Sequence, residues 1–470
     1  MPNPAPLGFA RPRTPLQRRV GAALLVLSAL LATLWALDGD RTVPLPATAP
    51  PAAGCAPNAP ATARPLTLPT SGAAAWRDLD GTVVCLTHPL VVAEVFELRS
   101  RGWVLAGGAR PTAATPRADV EAGTLRVRPA ADDLRNGDAL LGAWGTLTVD
   151  DRGALLSDAR LDVEHRNPRP DAPPAVGADG DVRLAAVNLF NWFWTLDRRG
   201  AATPSQREAQ AAKLVATLAP LDADVLALAE VENDDGQALD ELLDRVNDAQ
   251  RALGRGPEAD YAAVAVPSVD RGRDAIRVAV AYRPARLTLV GAAADRDRVH
   301  DRPPLAATFG TADGERFTVV AVHHKSKGGC PATGDVDRGS GCWDLRRDAQ
   351  TTAVLDFAER LAAQVGDADV VVLGDFNAYR HEAPTRRFAD AGWSLAVDAM
   401  PEGEAYSYVY FGRAGALDHA AASPSAAPKV TGAAFWRVNA DEPPGTDVDR
   451  SNPFRASDHD PLLLAFRAEP

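Results

Sequence analysis

Apolar positions follow two regimes along the chain. From Trp76 to Arg166 they come in short runs of β character: Gly81-Thr-Val-Val-Cys-Leu, Leu90-Val-Val-Ala-Glu-Val-Phe-Glu-Leu, Gly102-Trp-Val-Leu, Gly142-Ala-Trp-Gly-Thr-Leu-Thr-Val and Gly153-Ala-Leu-Leu. Turn residues separate these runs and no long helical period appears, so this region reads as all-β. From residue 181 onward, buried-strand patterns alternate with helical ones. Strands are predicted at Val182–Asn188, Asp224–Glu230, Ile276–Tyr282, Phe317–His323 and Asp369–Asp375. Helices are predicted at Ser205–Leu218, capped by Thr203 or Ser205, at Gln237–Leu253 and at Leu345–Val365. The result is an α/β layered domain over residues 181–470, with no internal repeat.

The remaining segments read as connectors. Residues 41–75 are rich in Pro, Ala and Thr and predict a linker, and the Pro-rich stretch 168–180 a second one. Between them, 76–167 fits a small β-barrel of the OB type, with a small sandwich as the alternative. Single-strand binding is the functional reading of such a barrel. The aromatic residues needed for base stacking are sparse there, and a packing or positioning module is at least as good a reading. In residues 1–40, Arg11, Arg13, Arg18 and Arg19 precede an apolar run from Val20 to Leu37 that Asp38 and Asp40 close. That order predicts a signal anchor or a cleaved signal peptide, with the bulk of the chain exported in either case.

The cysteines fit an oxidising compartment. Cys330 and Cys342 bracket a Gly-rich polar loop, which makes them the natural local pair and leaves Cys55 with Cys85. Zinc is the competing use, but no Cys-x-x-Cys spacing supports it. A formal charge of −12 argues against a protein that coats nucleic acid by bulk charge, though not against an enzyme with a local cationic cleft. Lysine is rare: Lys213, Lys325, Lys327 and Lys429 are the four in the chain.

Candidate chemistry gathers at strand ends. The predicted strands finish at Asn188, at Glu230 with Glu232 beyond it, at His323, and at Asp375 with Asn377 beyond it. Leu417-Asp418-His419 and Ser457-Asp458-His459-Asp460 add two more polar clusters near the carboxyl end. Any one of these could be a cap, whereas their recurrence is the placement of an active site on a sheet edge. Carboxylates and an amide without clustered cysteines are hard ligands for Mg²⁺, Mn²⁺ or Ca²⁺, leaving histidines for proton transfer. Phosphodiester hydrolysis uses all of these parts.

These residues carry a family likeness. Val187-Asn-Leu-Phe-Asn, Leu228-Ala-Glu-Val-Glu-Asn, Gly374-Asp-Phe-Asn-Ala-Tyr and Ser457-Asp-His-Asp-Pro resemble the motifs of the endonuclease/exonuclease/phosphatase superfamily. His323-His-Lys-Ser-Lys-Gly, Gly341-Cys-Trp-Asp, Tyr406-Ser-Tyr and Trp436-Arg-Val-Asn-Ala-Asp-Glu-Pro are similar to its bacterial extracellular endonucleases, which carry a preceding OB-type domain. The resemblance covers residues 76–470 and implies a four-layer, DNase I-like α/β sandwich behind the β-barrel. It implies that Asn188, Glu230 and Asp458 hold a divalent metal, Mg²⁺ first, and that Asp375 orients or deprotonates water. Asn377 would then bond the phosphate and His459 meet the phosphate or leaving oxygen, with Asp418 setting its tautomer. His323 matches the second histidine of the nuclease branch; strand alternation places His323 and His324 on opposite faces, and the motif register picks His323. Asp274 is a weak candidate as its carboxylate partner, and Glu232 a candidate supporting residue. Two departures stand out: Ala229 precedes the metal glutamate where Gln or Met is usual, and Val322-His323-His324 replaces Asn-His-Phe.

Lys325 and Lys327, with Arg346, Arg347 and the Cys330–Cys342 loop, form a candidate cationic wall for the phosphate backbone. The expected activity is metal-dependent, sequence-indifferent cleavage of DNA, with RNA a second substrate, outside the cytoplasm. Two alternatives are a phosphodiesterase or phosphatase for lipid or small phosphoesters, and a catalytically dead nucleic-acid-binding surface protein. The expected partners are nucleic acid and, through an uncleaved N-terminal helix, the membrane; no protein partner is implied.

Overall fold

The computed structural model describes residues 54–178, 180–401, 403–445 and 451–468. The predicted signal or anchor segment, 1–40, lies outside the described residues. Among the described residues no helix is long and apolar enough to cross a membrane.

The first sheet holds β1 (Arg64–Leu66), β2 (Val83–Leu86), β3 (Leu90–Glu94), β4 (Val104–Gly107), β5 (Thr124–Val127), β6 (Ala139–Asp150) and β7 (Gly153–Glu164). β3, β4, β5, β7 and β6 pair in that order, and β6 pairs back onto β3, so five strands close into a barrel. One of the five contacts, β5 with β7, is parallel. Val92, Leu125, Leu140, Leu147 and Leu156 fill the interior. Part of the stretch expected as linker is folded onto this barrel: β1 runs parallel to β2, and Cys55 is disulfide-bonded to Cys85, their Cα atoms 5.4 Å apart. Short β1 is masked in the sequence by Pro65, and β5 by the preceding helix Arg117–Gly123, which leaves it little room to show alternation.

Two six-stranded sheets make up the rest. One orders β10 (Ala262–Ala263), β11 (Ile276–Tyr282), β9 (Val225–Glu232), β8 (Val182–Trp192), β21 (Leu462–Phe466) and β20 (Val430–Phe435). The other orders β12 (Thr288–Ala294), β13 (Leu305–Gly310), β14 (Arg316–His323), β15 (Val370–Asp375), β19 (Asp418–Ala422) and β16 (Ser394–Leu395). A separate hairpin, β17 (Tyr408–Tyr410) with β18 (Arg413–Gly415), stands between the second sheet and the barrel.

Alternation along β8 explains the layering. Leu184 and Ala186 face the opposing sheet, in a core with Val319, Val371 and Leu464. Ala185 and Val187 face the other way, against Leu214 and Leu218 of the helix Pro204–Leu218 and Leu239 and Leu242 of the helix Gln237–Ala252. Val354, Phe357 and Leu361 of the helix Asp344–Val365 cover the second sheet. Helices, sheet, sheet, helices is a four-layer α/β sandwich, each large buried side chain contributing about 1.5–3 kcal/mol. Thr203, not Ser205, caps the first helix, in a capping box with Gln206.

Candidate active site

The site begins with strand register. β14 and β15 are parallel with His323 beside Asp375, and β15 and β19 antiparallel with Asp375 beside Asp418. Three polar side chains therefore stand in one row across three neighbouring strands. Gly374 makes this row possible: its φ is +140°, and a Cβ there would lie 2.2 Å from the Val322 carbonyl oxygen.

The facing sheet supplies the next pair. Asn188 near the end of β8 lies beside Ala229 of β9, one residue before Glu230. Left-handed φ angles at Phe190, Asn191 and Glu230 bend both strand ends over the site. Asn188 Nδ2 donates to Glu230 Oε1 at 3.1 Å and to Asp375 Oδ2 at 3.3 Å, joining the two sheets. The Phe190 amide donates to Asn188 Oδ1 and the Asn191 amide to Glu230 Oε2, at 2.9 and 2.8 Å.

His459 arrives on the loop before β21. Its Nδ1 lies 2.7 Å from Asp418 Oδ2, and its carbonyl accepts from Asn439 Nδ2 at 2.7 Å. Burial opposes a charge on the imidazole, but Asp418, Asp458 and Asp375 outweigh it and hold the pKa well above the ordinary value. Asp418 thus takes the Nδ1 side of the ring. Burial pushes Asp375 up to about 7, against the pull of His459, with Asp418 and Glu230 adding repulsion. Burial, then the negative charge of half-buried Asp458, also raises Glu230. Asp375 accepts from the Asn377 amide at 2.8 Å, while Asn377 Nδ2 donates to the His324 carbonyl at 3.3 Å.

His323 Nε2 is 3.5 Å from Asp375 Oδ2, and burial holds this histidine neutral, with its pKa well below the ordinary value. His324 points the opposite way, with Nε2 3.3 Å from Thr351 Oγ1 and its ring against Phe376. The carboxylate beside His323 is thus Asp375 and not Asp274, which pairs with Arg199 and Arg302. Arg302 in turn donates to the backbone carbonyls of His323 and His324. Glu232 is turned away and accepts the amides of Trp194 and Thr195, at 2.9 Å each.

The expected cationic wall divides. Lys325 Nζ lies 4.0 Å from Asp301 and 5.3 Å over the Trp343 ring, and Arg346 donates to Asp301 at 2.8 Å. Lys327 and Arg347 are turned inward and do not belong to it. Lys327 pairs with Glu382 and donates to the Ser340 carbonyl at 2.7 Å, and burial lowers its pKa to about 8. Arg347 is fully buried and donates to the carbonyls of Cys342 and Ser340, at 2.6 and 2.9 Å. Both fasten the Cys330–Cys342 loop, whose disulfide joins Cα atoms 5.2 Å apart.

Three residues without an assigned role belong to the site. Tyr408 packs against His459 with ring centroids 4.8 Å apart and the planes tilted by 40°. Ser407 Oγ accepts the amides of Leu417 and Asp418, fixing the start of β19. Asn439 accepts the Ser457 amide at 3.2 Å as well as holding the His459 carbonyl. The only signals for them were the Tyr406-Ser-Tyr and Trp436-Arg-Val-Asn segments.

The donors fit a hard divalent cation. Glu230 and Asp458 repel each other, and Asp375, Asp418 and His459 have ligand atoms within 4.8 Å of one another. Four carboxyl groups around one imidazole, two of them with raised pKa, are hard oxygen donors that a cation would hold in the charged form.

Comparison with solved structures matches about three-fifths of the chain. The human Nocturnin catalytic domain with bound sulfate is 20% identical, covering 61% of this chain and 94% of its own, with a TM-score of 0.40. An endonuclease/exonuclease/phosphatase from Bacteroides vulgatus is 14% identical, covering 62% and 99%, at 0.42. Truncated TDP2 from Caenorhabditis elegans is 15% identical, covering 61% and 98%, at 0.41. No curated protein sequence matches the chain significantly. The model of the Endonuclease/Exonuclease/phosphatase family matches residues 187–459, from the residue before Asn188 to His459 itself, and the chain belongs to that family.

Proposed function

We propose that this protein is a metal-dependent, sequence-indifferent endonuclease that hydrolyses phosphodiester bonds of DNA, and of RNA secondarily, outside the cytoplasm. The observation that carries the reading is the Asp418–His459 pair at 2.7 Å standing beside Asp375. It supplies an oriented proton donor and, within 4.8 Å, a proton acceptor. Asn188, Glu230 and Asp458 would hold the cation, Mg²⁺ by its preference for oxygen donors, with Mn²⁺ or Ca²⁺ as substitutes. Bound there, it neutralises charge on the phosphate oxygens.

The side chains account for the rest. Asp375 takes the proton of the attacking water, whose oxygen bonds to phosphorus as the bond to the leaving oxygen breaks. His459 Nε2–H donates to the phosphate or to that leaving oxygen, and Asp418 keeps the proton on the correct nitrogen. Neutral His323 lies next to Asp375, and Asn377 bonds the phosphate. Lys325 and Arg346 meet the backbone beyond the scissile bond. The two disulfides support an oxidising compartment, and the closed five-stranded ring with its parallel pair supports an OB-type assignment for residues 76–167.

Plasmid nicking by the full-length protein tests the reading. Mg²⁺ should convert supercoiled to relaxed DNA, chelator should stop it, and His459→Ala should lower the rate by about 100-fold or more. Intact plasmid alongside hydrolysis of a lipid phosphoester would overturn it.

A further inference from the structure

The catalytic imidazole opens onto a line of aromatic rings. Tyr408 lies against His459 with the planes tilted by 40°, and Tyr410, two residues on along β17, has its ring centroid 6.5 Å from that of Tyr408 with the planes within 20°. Phe411 continues the line edge-on to Tyr410, at 4.8 Å. Exposure rises outward: Tyr408 is half-buried, Tyr410 is 50% exposed and Phe411 59%. Large apolar side chains this exposed are few among the described residues.

This line is built rather than frayed. Phe411 takes a left-handed φ of +50°, a conformation that costs a bulky residue energy and persists where surroundings impose it. Here its amide donates to Glu94 Oε1 of the barrel, and Gly412, at a left-handed φ of +69°, sits against Leu105 and Ala93, where a Cβ would come within 2.7 Å of Leu105 Cδ2. Behind the hairpin, Ala414 exchanges backbone hydrogen bonds with Pro111 and Ala113, at 3.0 and 2.8 Å. Phe190, beside Asn188, is likewise exposed at a left-handed φ of +53°.

Resting on the endonuclease reading of the site, we propose that Tyr408, Tyr410 and Phe411 form a stacking subsite for unpaired bases, so that the preferred substrate is single-stranded nucleic acid. Near-parallel rings with centroids 6.5 Å apart, at alternate positions of one strand, present π-faces at successive points along the hairpin. A strand whose phosphate reaches His459 thus places its next bases along the hairpin. Bases paired and stacked within a duplex would not offer their faces to these rings, and stacking is indifferent to sequence because every base has a π-face. Arg413, paired in register with Tyr410, adds a cation at the same level for the backbone.

Fluorescence anisotropy of the full-length protein in chelator tests this with three probes: a labelled single strand, the same backbone carrying abasic sites, and the matching duplex. Wild type should bind the base-bearing single strand about 10- to 100-fold more tightly than the abasic strand. It should also favour that strand over the duplex. In Tyr410→Ala/Phe411→Ala that advantage should vanish, and Tyr410→Phe should retain it. Equal binding of base-bearing and abasic strands by wild type, or discrimination surviving in the double variant, would overturn the subsite. Failure of wild type to nick plasmid with Mg²⁺ would overturn the endonuclease reading instead, and the chelator comparison still decides the subsite.

Discussion

Asp418 and His459 are both buried, so their hydrogen bond is one that water does not replace. Asp418→Asn keeps the shape but removes the charge that holds the imidazolium. The expected outcome is a 10- to 100-fold fall in kcat with little change in KM, read from initial nicking rates. Lys325 and Lys327 separate in the same residue-level way. Lys325→Ala should reduce the slope of log binding against log salt by about 1, whereas Lys327→Ala should leave the slope alone and lower stability, because Glu382 loses its partner. Residue type announced the cations but not their direction. Arg347 and Lys327 fold inward because Ser340 and Cys342 present unbonded carbonyls that a loop without regular structure must satisfy.

At the scale of elements, strand ends were legible because apolar runs that stop at a polar residue keep their register when strands pair in parallel. His323, Asp375 and Asn188 are placed by that rule. β17 and β18 were not legible, since three residues each, one strand carrying Arg and Gly, show no period. Their stability comes from the barrel. Glu94 holds the hairpin tip, and burial pushes its carboxyl up to about 7, against the Phe411 and Gly412 amides, with Glu97 repelling and Arg455 attracting the charge. A raised carboxyl pKa favours the folded state fully below about pH 4.5, and that contribution fades as pH rises through about 7. Glu94→Gln should therefore gain on wild type by on the order of 1–2 kcal/mol between about pH 5 and about pH 8 in urea unfolding. A constant difference across that range would remove Glu94 from the account.

Across the whole molecule, the barrel and the sandwich share one buried charge cluster. Arg135 pairs with Glu442 at 2.7 Å, Arg169 with Glu442 at 2.7 Å, and Arg110 with Asp441 at 2.7 Å. Asn167 Nδ2 and the Tyr406 hydroxyl donate to the second Asp441 oxygen. The same Asn439–Glu442 segment carries Asn439, which holds His459. Nothing in the local pattern of Asn-Ala-Asp-Glu foretold this, because its partners lie about three hundred residues away in sequence. Arg135→Ala should cost about 3 kcal/mol, as removing one partner of a buried ion pair does, and split a single unfolding transition into two. One transition at an unchanged midpoint would refute it.

That shared cluster changes what the connector between the two bodies is for. Residues 171–178 form no helix or strand, yet Arg169, just before them, is tied across to Glu442. A protease that nicks there severs the chain without parting the pieces. The two fragments should migrate together on a native gel and still cleave, and separately expressed halves should find each other by complementation. The barrel is then less an appendage than part of one folded unit with the sandwich, joined through the cluster and not through the connector alone.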